Sequence, residues 1–333
     1  MKPWTASRLL ATCGISVALW AVIAGACLMV GSTGWGWPTA RELALRWPNV
    51  MVASIVGAAL SAAGVAYQAV LQNVLAEPYL LGVSSGASLF AYLSLMATGP
   101  LSSILAPLSQ QGASFLGSMA VLALVLALSQ RRGKLEPVML VLVGIIVSTF
   151  CGAAYLLVYH LNLRHEISFG TGGPLRLLVG GINTSLSTNQ IAVAACLIFI
   201  GFLALMYLSG QLNVAVLSEA EAQSLGVHID RLRWTVMIAA SLMTAAAVAL
   251  SGPIGFVGLI CPNLARVVIG ADQRRLLPLS TALGAGVLAI ADAVSRGLTH
   301  WTSGPLPVGV LTGILGGPFF LFMLWRSRLT TDS

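Results

Sequence analysis

Ten stretches of this sequence, at about 9–30, 50–71, 79–98, 113–129, 138–160, 191–209, 234–250, 254–270, 277–294 and 306–325, stay apolar for roughly the thickness of a bilayer. A hydrocarbon core of about 30 Å takes about 20 helical residues to cross, and inside it the backbone polar groups must be paired within the protein. The runs are continuous and lack the every-other-residue alternation of a barrel strand, so they are expected to be helices. With 57% of 333 residues hydrophobic and 8% charged, nothing in the composition offers a separate water-soluble domain. The expected fold class is an all-α polytopic membrane protein of about ten transmembrane helices, a single domain over 1–333.

The basic residues test that count, because Lys and Arg are retained on the cytoplasmic side. With the N-terminus inside, 11 of the 17 fall on inner segments (Lys2, Arg8, Arg131, Arg132, Lys134, Arg231, Arg233, Arg274, Arg275, Arg326, Arg328). Four (Arg41, Arg46, Arg164, Arg176) fall outside, and two (Arg266, Arg296) lie at span ends. An even number of spans with both termini cytoplasmic fits this division. The net charge of +7 is scattered over loop ends instead of gathered on one face, which argues against nucleic acid as a partner. Lys2 and Arg8 ahead of an apolar run imitate a secretory signal, but the run is too long for a signal core and reads as a retained first span. Cys13, Cys27, Cys151, Cys196 and Cys261 all fall in expected spans without metal-ligand spacing and read as small buried apolar residues. No phosphate-binding loop, catalytic Ser-His arrangement or H-E-x-x-H spacing occurs, so the chain is expected to be no enzyme and to bind no metal or cofactor itself.

The polar breaks between spans carry the remaining information. The longest in the C-terminal half is 211–233. There Ser218 and Glu221 have the spacing of a capping box, and Gly226 is suited to close a helix in the left-handed conformation. The spacing predicts a short helix from about Glu219 to Leu225 outside the bilayer, with Asp230 able to cap a second start. After the second span, Gln68, Gln72, Asn73 and Glu77 precede Pro78 and Gly82, which fits either a cavity or gate lining or a plain polar turn. The second span itself carries Ala53, Gly57, Ser61 and Gly64, small residues that let helix backbones approach. The long outer segment 160–189 holds His160 and His165, either solvated or able to meet a passing metal or haem. Ser251 to Gly258 has three glycines and a proline, inviting a tight re-entry, and Asp292 and Arg296 share a helical face as an acid–base pair.

Several motifs occur together in order: Val56-Gly-Ala-Ala-Leu60, Gly64-x-x-x-Gln68, Asn73 through Ala87 with its Ala-Glu-Pro-Tyr-Leu-Leu-Gly-Val-Ser-Ser-Gly core, Ser224-Leu-Gly-Val227, Gly252 through Ile260, Leu306-Pro-Val-Gly309 and Gly317-Pro-Phe-Phe320. From about Arg46 to Trp325 the chain resembles the FecCD-type permeases, membrane subunits of ABC importers for ferric siderophores, haem and cobalamin. The resemblance implies a homodimer in the bacterial inner membrane, in contact with lipid. It further implies two ATPase subunits holding ATP and Mg on the cytoplasmic side and a substrate-binding protein outside.

By position it assigns ATPase coupling, through short cytoplasmic coupling helices, to Ser218, Glu219, Glu221, Ala222, Leu225 and Gly226, with Glu219, Ala222 and Leu225 as contacts. It assigns a cytoplasmic gate to Asn73 and Leu75, and binding-protein docking to Arg46 and Arg296. Three positions depart from the family pattern. Asn49 stands where a second docking arginine is usual, Val74 where the gate turn has proline, and Asn263 where histidine is usual. A looser gate turn is the expected consequence of Val74. The resemblance favours an iron chelate as cargo, ferric siderophore or haem, with cobalamin as the alternative. An ion-coupled secondary transporter is more remote, Asp292 being its one candidate coupling group.

Overall fold

The computed structural model describes residues 6–31, 34–96, 109–131, 134–162, 177–182, 186–215, 219–300 and 306–331. The helices are α1 (Ala6–Met29), α2 (Ala40–Val70), α3 (Val83–Met96), α4 (Gln110–Ser129), α5 (Pro137–Asn162), α6 (Thr188–Ala215), α7 (Glu219–Ser224), α8 (Ile229–Ser251), α9 (Val257–Ile269), α10 (Gln273–Gly297) and α11 (Val308–Thr331). Two-residue antiparallel ladders turn the chain between α1 and α2 (β1, Val30–Gly31, with β2, Gly34–Trp35) and between α4 and α5 (β3, Gln130–Arg131, with β4, Lys134–Leu135). Pro78–Leu81 forms a 3-10 turn leading into α3.

Among the described residues seven helices are long and apolar enough to cross a bilayer, and α3, α9 and the Val308–Met323 part of α11 are shorter apolar helices. Together they account for the ten expected spans. Some helices outrun the apolar runs that announced them. α2 begins ten residues before the expected 50 because Thr39 and Glu42 form a reciprocal capping box at its start. Its extra turns carry Arg41, Glu42 and Arg46, charged residues that suit the membrane surface. α9, with 13 residues, rises only about 20 Å, short of a full crossing. The glycine-rich segment from Gly252 to Phe256, which is not helical, precedes it.

The bundle is built around α2, 83% of whose apolar span is buried by other helices. Between lipid-facing helices there is no difference in hydrophobicity to drive association, so close packing and interhelical hydrogen bonds must hold them. The small residues of α2 provide both. A Cβ on Gly57 would meet the Gly284 carbonyl of α10, and one on Gly64 would meet the Gly258 carbonyl of α9, so the backbones touch at both crossings. Beside the first crossing, Ser61 Oγ lies 2.7 Å from the Ser280 hydroxyl and carbonyl. Tyr67 then ties α2 to α8 through the Ser241 hydroxyl at 2.5 Å. α1 joins this core through Trp20 Nε1, which donates to Ser54 Oγ at 3.0 Å, and through Ile23 against Gly286. α5 and α6 lie on the flanks, with 22% and 28% of their spans buried.

The crossing of α2 with α10 gives a direct test. Gly57→Leu must push the two backbones apart and is expected to destabilise the protein by about 3 kcal/mol or more, the upper range for overpacking. Gly14→Ala, where an added Cβ meets nothing within 4 Å, should stay within about 0.5 kcal/mol of the parent. Thermal unfolding in detergent reads both, and equal losses would refute the backbone crossing as the central contact.

Candidate functional site

At the end of the bundle that carries the loop from α6 to α8, the polar break is narrower than the sequence suggested. α6 continues to Ala215 and α8 starts at Ile229, leaving α7 at Glu219–Ser224 between them. Leu225 N–H donates to the Glu221 carbonyl and Val227 N–H to the Ala222 carbonyl, with Gly226 left-handed at φ 77°. That is the closure a glycine in this position permits. Ser218, and with it the expected capping box, lies outside the described residues. Two expectations change. Asp230 does not cap α8: His228 occupies the N-cap without a side-chain bond, and Asp230 sits in the first turn. Ala222 is fully buried and packs inward as the anchor of α7, so it is not an outward contact. Glu221 and Gly226 are exposed, and Leu225 is 62% exposed, a large apolar side chain held out beyond the end of a short helix.

Beside this segment, the turn after α2 is tied down by hydrogen bonds. Asn73 Oδ1 accepts the Leu75 N–H at 2.9 Å, and the Val74 carbonyl accepts Asn263 Nδ2 of α9 at 3.0 Å. Asn263 Oδ1 in turn accepts Arg266 Nη1 at 2.8 Å, and Arg266 Nη2 donates to Gln68 Oε1 of α2 at 2.9 Å. The looser turn expected from Val74 is therefore not found, because the Asn263 side chain holds the carbonyl of the residue that replaces proline. Two departures from the family pattern meet in one bond. Farther along, the Glu77 carboxylate accepts the N–H of Phe256, the left-handed residue that opens α9. An acid at that position complements the positive end of the α9 dipole. Gln72 Nε2 reaches the Ala215 carbonyl at the end of α6, at 2.8 Å. The turn is thus bound to α2, α6 and α9 together. Sequence reading singled out Gln72, Asn73 and Glu77 as a polar cluster, but no local spacing reveals partners 143 to 189 residues away.

At the opposite end, Arg46 and Arg296 converge on the last turn of α1. Arg46 donates to the Leu28 carbonyl at 3.0 Å and pairs with Glu42 at 2.8 Å. Arg296 pairs with Asp292 at 3.0 Å and donates to the Val30 carbonyl at 3.3 Å. Their side chains are only 10% and 14% exposed. The expected outward-reaching arginines are instead turned inward as cations on the carbonyl end of a helix, where unpaired C=O groups and the dipole favour them. Asn49, the missing second arginine, lies on α2 one turn beyond Arg46 and is half-buried. Trp37 and Trp47 at this end are exposed, as an interfacial belt requires.

The remaining sequence candidates are dispersed. His160 is exposed in the last turn of α5, and His165 lies outside the described residues. Cys27, Cys151 and Cys261 are buried as expected, but Cys13 is half-buried and Cys196 faces outward. Among the described residues no three His, Cys, Asp or Glu side chains gather as a metal site.

The geometry is a helical bundle with a short helix and a hydrogen-bonded polar turn at one end and an arginine-braced rim at the other. Comparison with known proteins agrees. The model of the FecCD transport family matches residues 15–326. The hemin transport system permease protein HmuU of Yersinia pestis is 35% identical over 292 residues, covering 86% of this chain and 83% of that protein. The vitamin B12 import system permease protein BtuC of Vibrio cholerae is 35% identical over 288 residues, covering 85% and 82%. A solved metal-chelate type ABC transporter in an inward-facing conformation superposes with a TM-score of 0.77 at 27% identity, covering 96% of this chain and 99% of that one. On a family match that spans nearly the whole sequence and a fold that agrees with it, the chain belongs to the FecCD transport family of ABC transporter permeases.

Proposed function

We propose that this chain forms the translocation pathway of an ATP-driven importer for an iron chelate, a ferric siderophore or haem, handed over by an extracytoplasmic binding protein. The observation that carries the reading is the exposed Leu225 at the end of α7, anchored by the buried Ala222 and standing beside a turn bonded to three helices. Such a segment is suited to pass a push from a partner into the bundle. Two copies of the chain enclose the path, and two ATPase subunits, which hold ATP and Mg, sit against α7 on the cytoplasmic side. Both termini lie on that side, in keeping with the basic loops. Asn73 and Leu75 form the cytoplasmic gate. The chain itself carries no catalytic group in this scheme.

The similarity to a hemin permease and to a metal-chelate transporter supports iron-bearing cargo, and the similarity to a vitamin B12 permease keeps cobalamin as the alternative. Ion-coupled transport is disfavoured because Asp292 is engaged by Arg296 near the end of α10. Proteoliposomes holding the permease, its ATPase and its binding protein should accumulate haemin or a ferric hydroxamate chelate only with ATP inside the ATPase compartment. Accumulation without the ATPase would overturn the reading, and accumulation of cyanocobalamin alone would move the cargo to the alternative.

Leu225→Glu tests the coupling contact. Placing a charge in a desolvated anchor position costs about 2 kcal/mol or more of partner binding, so ATP-driven uptake should fall by roughly thirtyfold. Thermal unfolding of the permease alone should stay at the parent value, since Leu225 touches solvent in the isolated chain. Unchanged uptake would remove α7 as the contact.

The docking role of Arg46 and Arg296 takes a changed form. They support the rim on which the binding protein sits by fixing the end of α1, and do not pair with that protein directly. Arg296→Met leaves Asp292 buried without its partner and is expected to cost about 3–5 kcal/mol of stability. Capture of the binding protein should weaken with it. In the parent, affinity should change little between 0.05 and 0.5 M salt, about the range over which exposed ion pairs are screened. A steep loss of affinity with salt in the parent would restore direct pairing by these arginines.

A further inference from the structure

The turn after α2 contains a conformation that its amino acid does not favour. α2 ends with Leu71 as C-cap, Asn73 N–H donates back to the Gln68 carbonyl, and the residue between them, Gln72, has φ 48°. This is the six-to-one closure in which the residue after the cap is left-handed and is usually glycine. A side chain there costs about 1 kcal/mol relative to glycine. A glycine would close α2 without that cost, but it would have no amide. Gln72 spends its strained position on one long-range contact, the 2.8 Å bond from Nε2 to the carbonyl of Ala215.

Ala215 is the last residue of α6, and α7 begins four residues later at Glu219. Gln72 therefore holds α6 from the turn after α2, four residues before α7 begins. The same turn holds α9 through Asn263 on the Val74 carbonyl and through Glu77 on the Phe256 N–H. A displacement of α6 at Ala215 has a direct bonded route into the turn that carries Asn73 and Leu75.

We propose that Gln72 is a positioning residue that links the ATPase-facing segment to the cytoplasmic gate, transmitting movement of α6 at Ala215 to the 73–75 turn. The proposal rests on the importer reading, with α7 as the ATPase contact. It adds the residue by which the two sites are joined, and a reason for retaining a strained side chain where glycine would fit. Strain of this kind persists where the surrounding structure has a use for it.

The test uses the assembled complex of permease and ATPase in lipid nanodiscs, with a spin label on Val74→Cys, a position 45% exposed and next to the gate residues. In the parent background, ATP with vanadate should change the label's spectrum, which reports movement of the turn. Gln72→Gly removes both the strain and the bond. It should leave thermal unfolding at or above the parent value and keep basal ATP hydrolysis, yet reduce the ATP-dependent spectral change. The loss should be roughly two- to tenfold in the apparent coupling equilibrium, the range of an ordinary net hydrogen bond. Gln72→Asn keeps an amide and tolerates the left-handed conformation but is one methylene short of Ala215, so it should resemble Gln72→Gly.

A purely structural cap would show the reverse pattern, a lower unfolding temperature with an undiminished ATP response, and would overturn the proposal. So would an undiminished response in Gln72→Gly at parental stability. Failure of the importer reading is separately visible, because the parent complex would then show no ATP-dependent change at all.

Discussion

Everything in this chain hangs on the two places where the backbone of α2 lies against a neighbouring backbone, Gly57 on Gly284 and Gly64 on Gly258. In lipid, apolar side chains have nothing to gain by turning inward, so helices cohere through closeness and through hydrogen bonds made across them. The two glycine crossings bring α10 and α9 near enough for Ser61 to reach Ser280 and for Gln68 to reach both Gly258 and Arg266. The polar contacts around the gate turn are thus a consequence of backbone approach one or two turns farther up the same helix. With bulkier residues at Gly57 and Gly64 the same polar side chains would lie too far from their partners.

A second constraint acts at the helix ends. Each helix terminus leaves backbone groups unpaired, and where the end is surrounded by protein those groups need partners from elsewhere. The α1 terminus is met by two arginines from α2 and α10, the Ala215 carbonyl of α6 by Gln72, and the start of α9 by Glu77. In each case the partner comes from another part of the chain, so satisfying a backbone group also fastens two elements together. The break between α8 and α9 follows the same rule: Gly181 N–H donates to the Ser251 carbonyl and Gly309 N–H to the Gly180 carbonyl, stitching the outer segment and α11 into the gap.

These two constraints explain what the sequence disclosed. The ten apolar runs were legible because span length and continuity are local properties, as was α7, whose closure depends on the left-handed Gly226 just after its last turn. Helix ends were less so: nothing in the apolar pattern reveals that α2 starts at Ala40, since its first turns lie among charged residues beyond the apolar run. Arg46 and Arg296 were expected as docking groups because the family resemblance assigns them that role; only the fold discloses that α1 ends between them. Val74 and Asn263 looked like two separate departures because 189 residues divide them, yet they share a bond.

The contrast between the two ends has a mechanical meaning. At the rim, the bonds to α1 are made by guanidinium groups paired with carboxylates, and charged bonds of this kind are worth about twice a neutral one. At the turn after α2, Gln72 to Ala215, Asn73 to Leu75 and Asn263 to Val74 are neutral amide contacts, each worth about 1 kcal/mol net, alongside the charged contacts of Glu77 and Arg266. In the importer proposed above, a structure held fixed on one side and rearranged on the other gains from that division. Neutral bonds of similar strength can be exchanged for one another, or for water, at little net cost, whereas separating Asp292 from Arg296 would strand a buried charge. The end with the exchangeable bonds is also the end where Leu225 is exposed, and that is the end at which a partner's differential binding can bias one arrangement over another.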